Sequence, residues 1–280
     1  MTDAIHRSDV PADGAPDGPL PVIVLAGGDA GDELARAVGA PAKALVPLKG
    51  RPLGAYVLDA LRAARHVGEV HWVGALDAAM RRRVDRVVPG GPRLVDSLAL
   101  GLGAACGDDP EERVLLVSAD LPWLTGAALD RFVEAAGTTH DLVYPVVARD
   151  VYERAFPDLP RTWVRLAGTD VTGGNLVVAR AHALRALLPW IELATRDRKS
   201  PLRLAARLGP ATLLALLTGR ASLPKLEARV SRLVGLSLHA LPSDDPVLAC
   251  DVDRPDQLPA TLSLASPSSG AGEAHRPRPS

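Results

Sequence analysis

Residues Val114-Leu115-Leu116-Val117-Ser118-Ala119-Asp120-Leu121-Pro122 form an apolar run that ends abruptly on a carboxylate. An Asp at the carboxyl end of a buried strand faces the crevice where open α/β sheets bind ligands. One or two such carboxylates, together with substrate phosphates, suit Mg²⁺. The other reading of Asp120 is a cap on the turn that follows it. A second acidic segment, Asp251-Val252-Asp253-Arg254-Pro255-Asp256-Gln257-Leu258, lies near the other end of the chain. It reads either as a further carboxylate source or as a helix N-terminus dressed with acids for dipole reasons. Near the start, Leu25-Ala26-Gly27-Gly28 closes the first apolar run. Glycines at a first strand-to-helix turn let backbone amides approach phosphate oxygens, although a plain tight turn has the same composition. GxxxxGK[ST] is absent and the G-x-G-x-x-G spacing fails, so neither a P-loop nor a dinucleotide fingerprint is present. Lys43 follows Gly28 by fifteen positions, within PAKALVPLKGRPL. Taken alone it reads as a solvated lysine.

These residues need elements to place them. The patterns predict strands at Val22–Leu25, Val70–Val73, Arg86–Val88, Val114–Val117 and Leu142–Val147. Between them, helical spacing covers Asp32–Val38, Leu53–Arg65, Asp77–Val84, Leu94–Ala105 and Thr125–Ala136, with Thr125 as a cap. Alternation of this kind predicts βαβ units and a mainly parallel sheet covered on both faces, a three-layer α/β/α fold. Later, strands are expected at Asn175–Ala179, Leu236–Leu241 and Val247–Ala249, a helix at Ala181–Leu188, and a short final helix at Pro255–Leu262. A Leu- and Arg-rich helical stretch from Trp190 to about Val234, broken at Pro201, Gly209-Pro210 and Pro224, reads as an insertion of about 185–235. The expected domain spans 21–265. Residues 1–20 and 266–280, rich in Pro, Gly, Ala and Ser, read as a mobile arm and tail.

The chain has 280 residues, 47% hydrophobic and 23% charged, an ordinary globular balance. Lys+Arg number 32 and Asp+Glu 33, for a net charge of −1, so no overall field favours nucleic acid. No uncharged apolar stretch reaches the ~18 residues of a membrane span, and the N-terminus has no apolar core of signal-peptide length. A cytoplasmic protein with no nucleic-acid or membrane partner is expected. Cys106 and Cys250, too few for a zinc cage, read as buried or idle thiols. No pair of the HExxH type occurs among seven histidines. Arg196, Arg198, Lys199, Arg203 and Arg207 form a basic run that suits either a solvated face or a phosphate clamp. Arg81-Arg82-Arg83 reads as part of an exposed helix.

The order strand, LAGG, variable loop, Lys43, apolar run, Gly50-Arg51-Pro52, helix resembles the MobA-like NTP transferases and the wider nucleotidyltransferases of the glycosyltransferase-A-like fold. The resemblance implies that Leu25, Ala26, Gly27 and Gly28 hold nucleotide phosphates and that Lys43 contacts phosphate charge. It also makes Asp120 a metal ligand. Pro89-Gly90-Gly91-Pro92-Arg93 and the helix after it are similar to the family's base-contacting stretch, which puts Arg93 and Ser97 at the nucleotide. For Ser97 a local backbone hydrogen bond is the other reading. Thr172-Gly173-Gly174-Asn175 resembles an acceptor- or metal-holding segment and implies acceptor contacts for Gly174 and Asn175; a loop turn is the alternative. The closing acidic segment resembles one in which an acid completes the metal site, so Asp253 is the second expected ligand and Asp251 the reserve.

The expected activity is Mg²⁺-dependent transfer of an NMP group from an NTP to a phosphorylated small-molecule acceptor, with pyrophosphate released. Lys43 and Asp120 are its expected catalytic residues. One position departs from the family pattern. Asp32 stands where the loop normally carries an arginine, and Arg36, one helical turn on, is the residue that could substitute. That departure keeps a non-catalytic nucleotide or sugar-nucleotide binder open. The formal Asp251-x-Asp253 DxD keeps a glycosyltransferase of the same fold open.

Overall fold

The computed structural model describes residues 18–27, 32–197 and 220–258, with 212, 214, 215 and 218 between the last two spans. Strand β1 (Leu20–Ala26) leads to α1 (Glu33–Val38), a short hairpin of β2 (Pro47–Leu48) and β3 (Arg51–Pro52), and α2 (Leu53–Ala63). Then come β4 (Val67–Gly74), α3 (Ala78–Arg81), β5 (Arg86–Val88), α4 (Leu94–Cys106), β6 (Arg113–Ser118) and α5 (Gly126–Ala136). The second half holds β7 (Leu142–Ala148), α6 (Arg149–Ala155), β8 (Val164–Leu166), β9 (Thr169–Gly173) and β10 (Leu176–Arg180). It closes with α7 (Ala181–Asp197), α8 (Leu223–Val234) and β11 (Leu238–Ser243).

Nine described strands make one mixed sheet in the order β5-β4-β1-β6-β10-β7-β9-β8, with β11 on β7. The half that carries the glycine turn is parallel: β1 lies between β4 and β6, and β5 extends β4. β10 runs antiparallel to both β6 and β7. Alternation along the central strands explains the layers. Val22, Val24 and Ala26 of β1, with Leu115 and Val117 of β6, join the core under α2 and α5. Ile23 and Val114 point the other way and pack with Leu98 and Leu102 of α4 and Leu184 of α7. Each strand is therefore apolar on both faces, as a doubly covered sheet requires. The expected three-layer α/β/α architecture is what forms.

Local chemistry accounts for most boundaries. The Thr125 hydroxyl accepts from the Ala128 amide at 3.2 Å and starts α5, as expected. Asp77 does the same for Met80 at 2.7 Å, but α3 stops at Arg81 rather than reaching Val84. Val247–Ala249, expected as a strand, lies in a 3-10 turn over Pro246–Ala249. Pro246 fixes φ and withholds an N–H, so these residues are buried without joining a ladder. Helix α7 runs through Pro189 as one element instead of ending at Leu188. Packing of Leu184, Leu188 and Ile191 against the α4 layer compensates for the lost backbone bond. The short elements α6 and β8 carry no periodicity long enough to read. Residues 1–17 of the expected arm, the expected tail and most of 198–220 lie outside the described residues, as does the end of the expected final helix.

Gly74 ends β4 at φ +123, a backbone region L side chains rarely adopt. A Cβ there would lie 2.7 Å from Ala26 C and 2.7 Å from Gly27 N, against the backbone that forms the glycine turn. Gly74→Ala is therefore expected to cost about 1–3 kcal/mol through strain and overpacking, read from the denaturant midpoint.

Candidate active site

Strands β1 and β6 are adjacent and parallel, with Leu25 opposite Ser118 in register. Their carboxyl ends thus open at one level, and the Ala119 amide donates to the Leu25 carbonyl at 3.1 Å to join them. This puts Asp120 beside the glycine turn. The closing acidic segment is stitched to the same place, since the Val252 amide donates to the Asp120 carbonyl at 3.1 Å. Gln257, buried, accepts from the amides of Asp253 at 2.7 Å and Arg254 at 2.9 Å and shapes that segment. Around these ends lies a cleft of about 730 Å³. Leu25, Ala26, Gly27, Lys43, Arg93, Ser97, Asp120 and Asp253 all line it. Gly28 lies outside the described residues.

The Lys43 ammonium contacts the carboxylates of both Asp120 and Asp253. Burial acts to strip its proton, but the charges and hydrogen bonds of Asp120 and then Asp253 together outweigh burial and hold it well above the usual lysine value. Asp120 is buried, and its other oxygen takes the Ser118 hydroxyl at 2.5 Å. Asp253 is more than half exposed at the cleft mouth. Asp251, the reserve, completes the group: carboxylate oxygens of Asp120, Asp251 and Asp253 lie within 4.8 Å of one another. Asp251 is buried and paired with Arg161, which also donates to the Gly173 carbonyl at 3.2 Å. Burial foremost, then the Asp120 charge, pushes its carboxyl up to about 7 despite Arg161. It then hydrogen-bonds Asp253, whose own carboxyl is drawn down, against burial, by that bond and by Lys43. The acids here form a bonded cluster.

Ser97 serves the turn before α4: its hydroxyl accepts from the Gly91 amide at 3.0 Å. Its Oγ is also the nearest atom, at 3.4 Å, to where a Cβ on Gly27 would stand, so the Gly91 turn and the glycine turn meet there. The local backbone hydrogen bond, one of the two sequence readings of Ser97, is present. Arg93 reaches the cleft but is engaged by Asp96 at 2.7 and 2.9 Å and by Glu192 of α7 at 2.6 Å. Asp32 caps α1, accepting from Ala35 N at 2.8 Å, and lines the cleft with Arg36. Gly174 and Asn175 do not line this cleft, although Ser118 N donates to the Asn175 carbonyl at 3.0 Å. The Asn175 side-chain nitrogen is buried with no hydrogen-bond partner. Of the basic run, Arg196 lies near Glu192 at 3.6 Å, and Arg198, Lys199, Arg203 and Arg207 fall outside the described residues. In the other arginine run, Arg81 and Arg82 are exposed, while Arg83 is only partly so and reaches Asp59 and the Ala55 carbonyl. Both cysteines are buried, and burial pushes the Cys250 thiol up to about 12. The Arg161–Asp251 pair carried no sequence signal.

A MobA-like NTP transferase domain model matches residues 22–224. The chain belongs to that family. This NTP transferase domain is also similar to a hypothetical transferase structure from Thermus thermophilus, at 37% identity and TM-score 0.75, covering 86% of this chain and 99% of that one. A nucleotidyl transferase from Methanothermobacter matches at 22% identity and TM-score 0.46, covering 84% and 92% of the two chains. CMP:2-keto-3-deoxy-manno-octonic acid synthetase complexed with CTP matches at 13% identity and TM-score 0.49, covering 88% and 97%. No curated protein matches significantly. No described helix is long and apolar enough to cross a membrane.

The raised Asp251 value has a definite sign. The folded form keeps a proton that the unfolded chain gives up, so this group's contribution to stability falls as pH rises from about 4 to about 7. In EDTA, wild type should lose that part of its stability between pH 5 and 8, and Asp251→Asn should not. The gap between their melting midpoints is expected to move in the variant's favour with rising pH; a gap that stays constant refutes the assignment.

Proposed function

We propose that this family member is a nucleotidyltransferase that moves an NMP group from an NTP to a phosphorylated small-molecule acceptor, with Mg²⁺ as cofactor. The observation that supports this is the meeting of Lys43, Asp120 and Asp253 beside Gly27 in a chain of the NTP transferase family. An acceptor phosphate oxygen attacks the α-phosphorus, a new P–O bond forms, and the bond to pyrophosphate breaks. Such transfer asks for alignment and charge neutralisation, not for a side-chain nucleophile or covalent intermediate. Three carboxylates within reach of one another are hard oxygen donors, the donor chemistry Mg²⁺ takes, so Asp120 and Asp253 fit as its ligands with Asp251 beside them. When bound, Mg²⁺ supplies neutralisation and polarisation at the transferring phosphate.

The chain's own groups do the placing. The backbone at Gly27 has no side chain to keep phosphate away, and Lys43 is a charged donor at the same end of the cleft. Its carboxylate partners keep the ammonium protonated and aimed where phosphate oxygens arrive. Ser97 and the Gly91 turn form the base side, and the exposed Arg93 guanidinium lies at its rim. Gly174 and Asn175 are the proposed acceptor-side residues. The orphaned Asn175 nitrogen, in the residue just before β10 whose carbonyl accepts from Ser118 N, supports this for a donor able to meet an acceptor oxygen.

The test is a pyrophosphate-release screen of four NTPs against cofactor precursors, sugar phosphates and phospho-acids with Mg²⁺. Pyrophosphate released only in the presence of both substrates is expected. Consumption of an intact nucleotide-sugar would indicate a glycosyltransferase, and NTP binding with no release across the panel a binder. Asp120→Asn should lower turnover by about a hundredfold or more with the melting profile retained. Lys43→Ala should weaken NTP binding; unchanged affinity removes Lys43 from the site.

A further inference from the structure

A second cavity, of about 280 Å³, lies between the end of α2, the start of β4 and the link from α3 to β5. Strand β4 runs from it to Gly74, so about 20 Å of extended chain separates it from the glycine turn. Its floor is apolar, made by the buried Leu61, Val70 and Val84. Its charged groups are Arg62, Arg82, Arg83 and Asp85. Three guanidiniums thus face one carboxylate, an excess of two positive charges. Asp85 is held by the backbone, since its carboxylate accepts from the Val70 amide at 2.7 Å. Arg83 is held too: it donates to the Ala55 carbonyl at 3.3 Å and pairs with Asp59. Arg62 and Arg82 differ. Both are exposed, and among the described residues neither guanidinium has a hydrogen-bond or ion-pair partner. The run Arg81-Arg82-Arg83 is therefore not one solvated face, because Arg82 and Arg83 line the cavity and Arg81 does not.

We propose that this cavity binds a small phosphate dianion, free or as a monoester, at a site separate from the cleft, with Arg62 and Arg82 as its donors. A guanidinium presents a planar fork of N–H groups that matches phosphate oxygens, and here two such forks are free at one concave wall. The excess of two positive charges equals the charge of the ligand. Arg83, fixed by Asp59 and the Ala55 carbonyl, adds field without having to move. The volume suits one phosphate with a small body and not a nucleoside triphosphate. The proposal uses no residue of the cleft and stands apart from the nucleotidyltransferase reading.

Calorimetric titration of the full chain with inorganic phosphate and, separately, with glycerol 3-phosphate tests this, in EDTA and at constant ionic strength. Wild type should bind at least one of them saturably. Phosphate bound as tightly as the ester marks the free ion as the ligand, and tighter ester binding marks a monoester; either result supports the site. Arg62→Gln and Arg82→Gln should each weaken binding about tenfold or more, the loss of one charge-assisted contact. Arg62→Lys, which keeps the charge but not the fork, should fall between. Melting should be retained, since both side chains are exposed. Arg81→Gln removes the same charge from outside the cavity and should leave affinity within about twofold. No saturable binding by wild type, unchanged binding in both Arg62→Gln and Arg82→Gln, or an equal loss in Arg81→Gln overturns the proposal.

Discussion

One ammonium group holds the upper surface of this molecule together. Lys43 contacts carboxylates 77 and 210 positions further along the chain. Burial by itself favours the neutral form of the Lys43 amine, and its two carboxylate partners outweigh that effect. With both partners the ammonium stays charged, and it ties the end of β6 to the closing acidic segment. The same arrangement concentrates negative charge. Asp251, third in the cluster and deepest, responds by keeping its proton near neutral pH even with Arg161 against it.

The sheet provides the platform. Apolar residues on both faces of β1 and β6 place these strands centrally, and parallel pairing sends their carboxyl ends the same way. Irregular backbone can then gather above them: the Gly27 turn, the Gly91 turn held by Ser97, and the segment from Asp251 to Gln257. Small residues are needed wherever these pieces touch. At Gly74 the neighbouring strand end passes so close to Ala26 and Gly27 that no side chain fits. Stability of the parallel half and shape of the cleft are therefore one property of the chain.

Much of this is legible before folding. Leu53, Val57, Leu58 and Leu61 are spaced for one helical face, and all four are buried in α2. The alternation of strands and helices through Leu142 specifies the three layers, because each element can bury its apolar side in only one way. Asp120 is legible for the same reason, an acid at the end of a strand with nowhere apolar to go. The later half is harder. Proline gave opposite outcomes at Pro189, inside a helix held by packing, and at Pro246, where it opens a turn in place of a strand. Nothing local distinguishes these; the surrounding core does.

What the sequence determined by itself was the sheet, its helices and the kinds of group at their ends, since these follow from short-range periodicity and from the chemistry of Gly, Pro and Asp. What only the tertiary structure decided was pairing. It joined Lys43 to both Asp120 and Asp253, brought Arg161 to Asp251, committed Arg93 to Asp96 and Glu192, and left Arg36 without an acidic partner among the described residues. Ion pairs are fixed by distance in space, and groups far apart along the chain come within reach only when the sheet has closed.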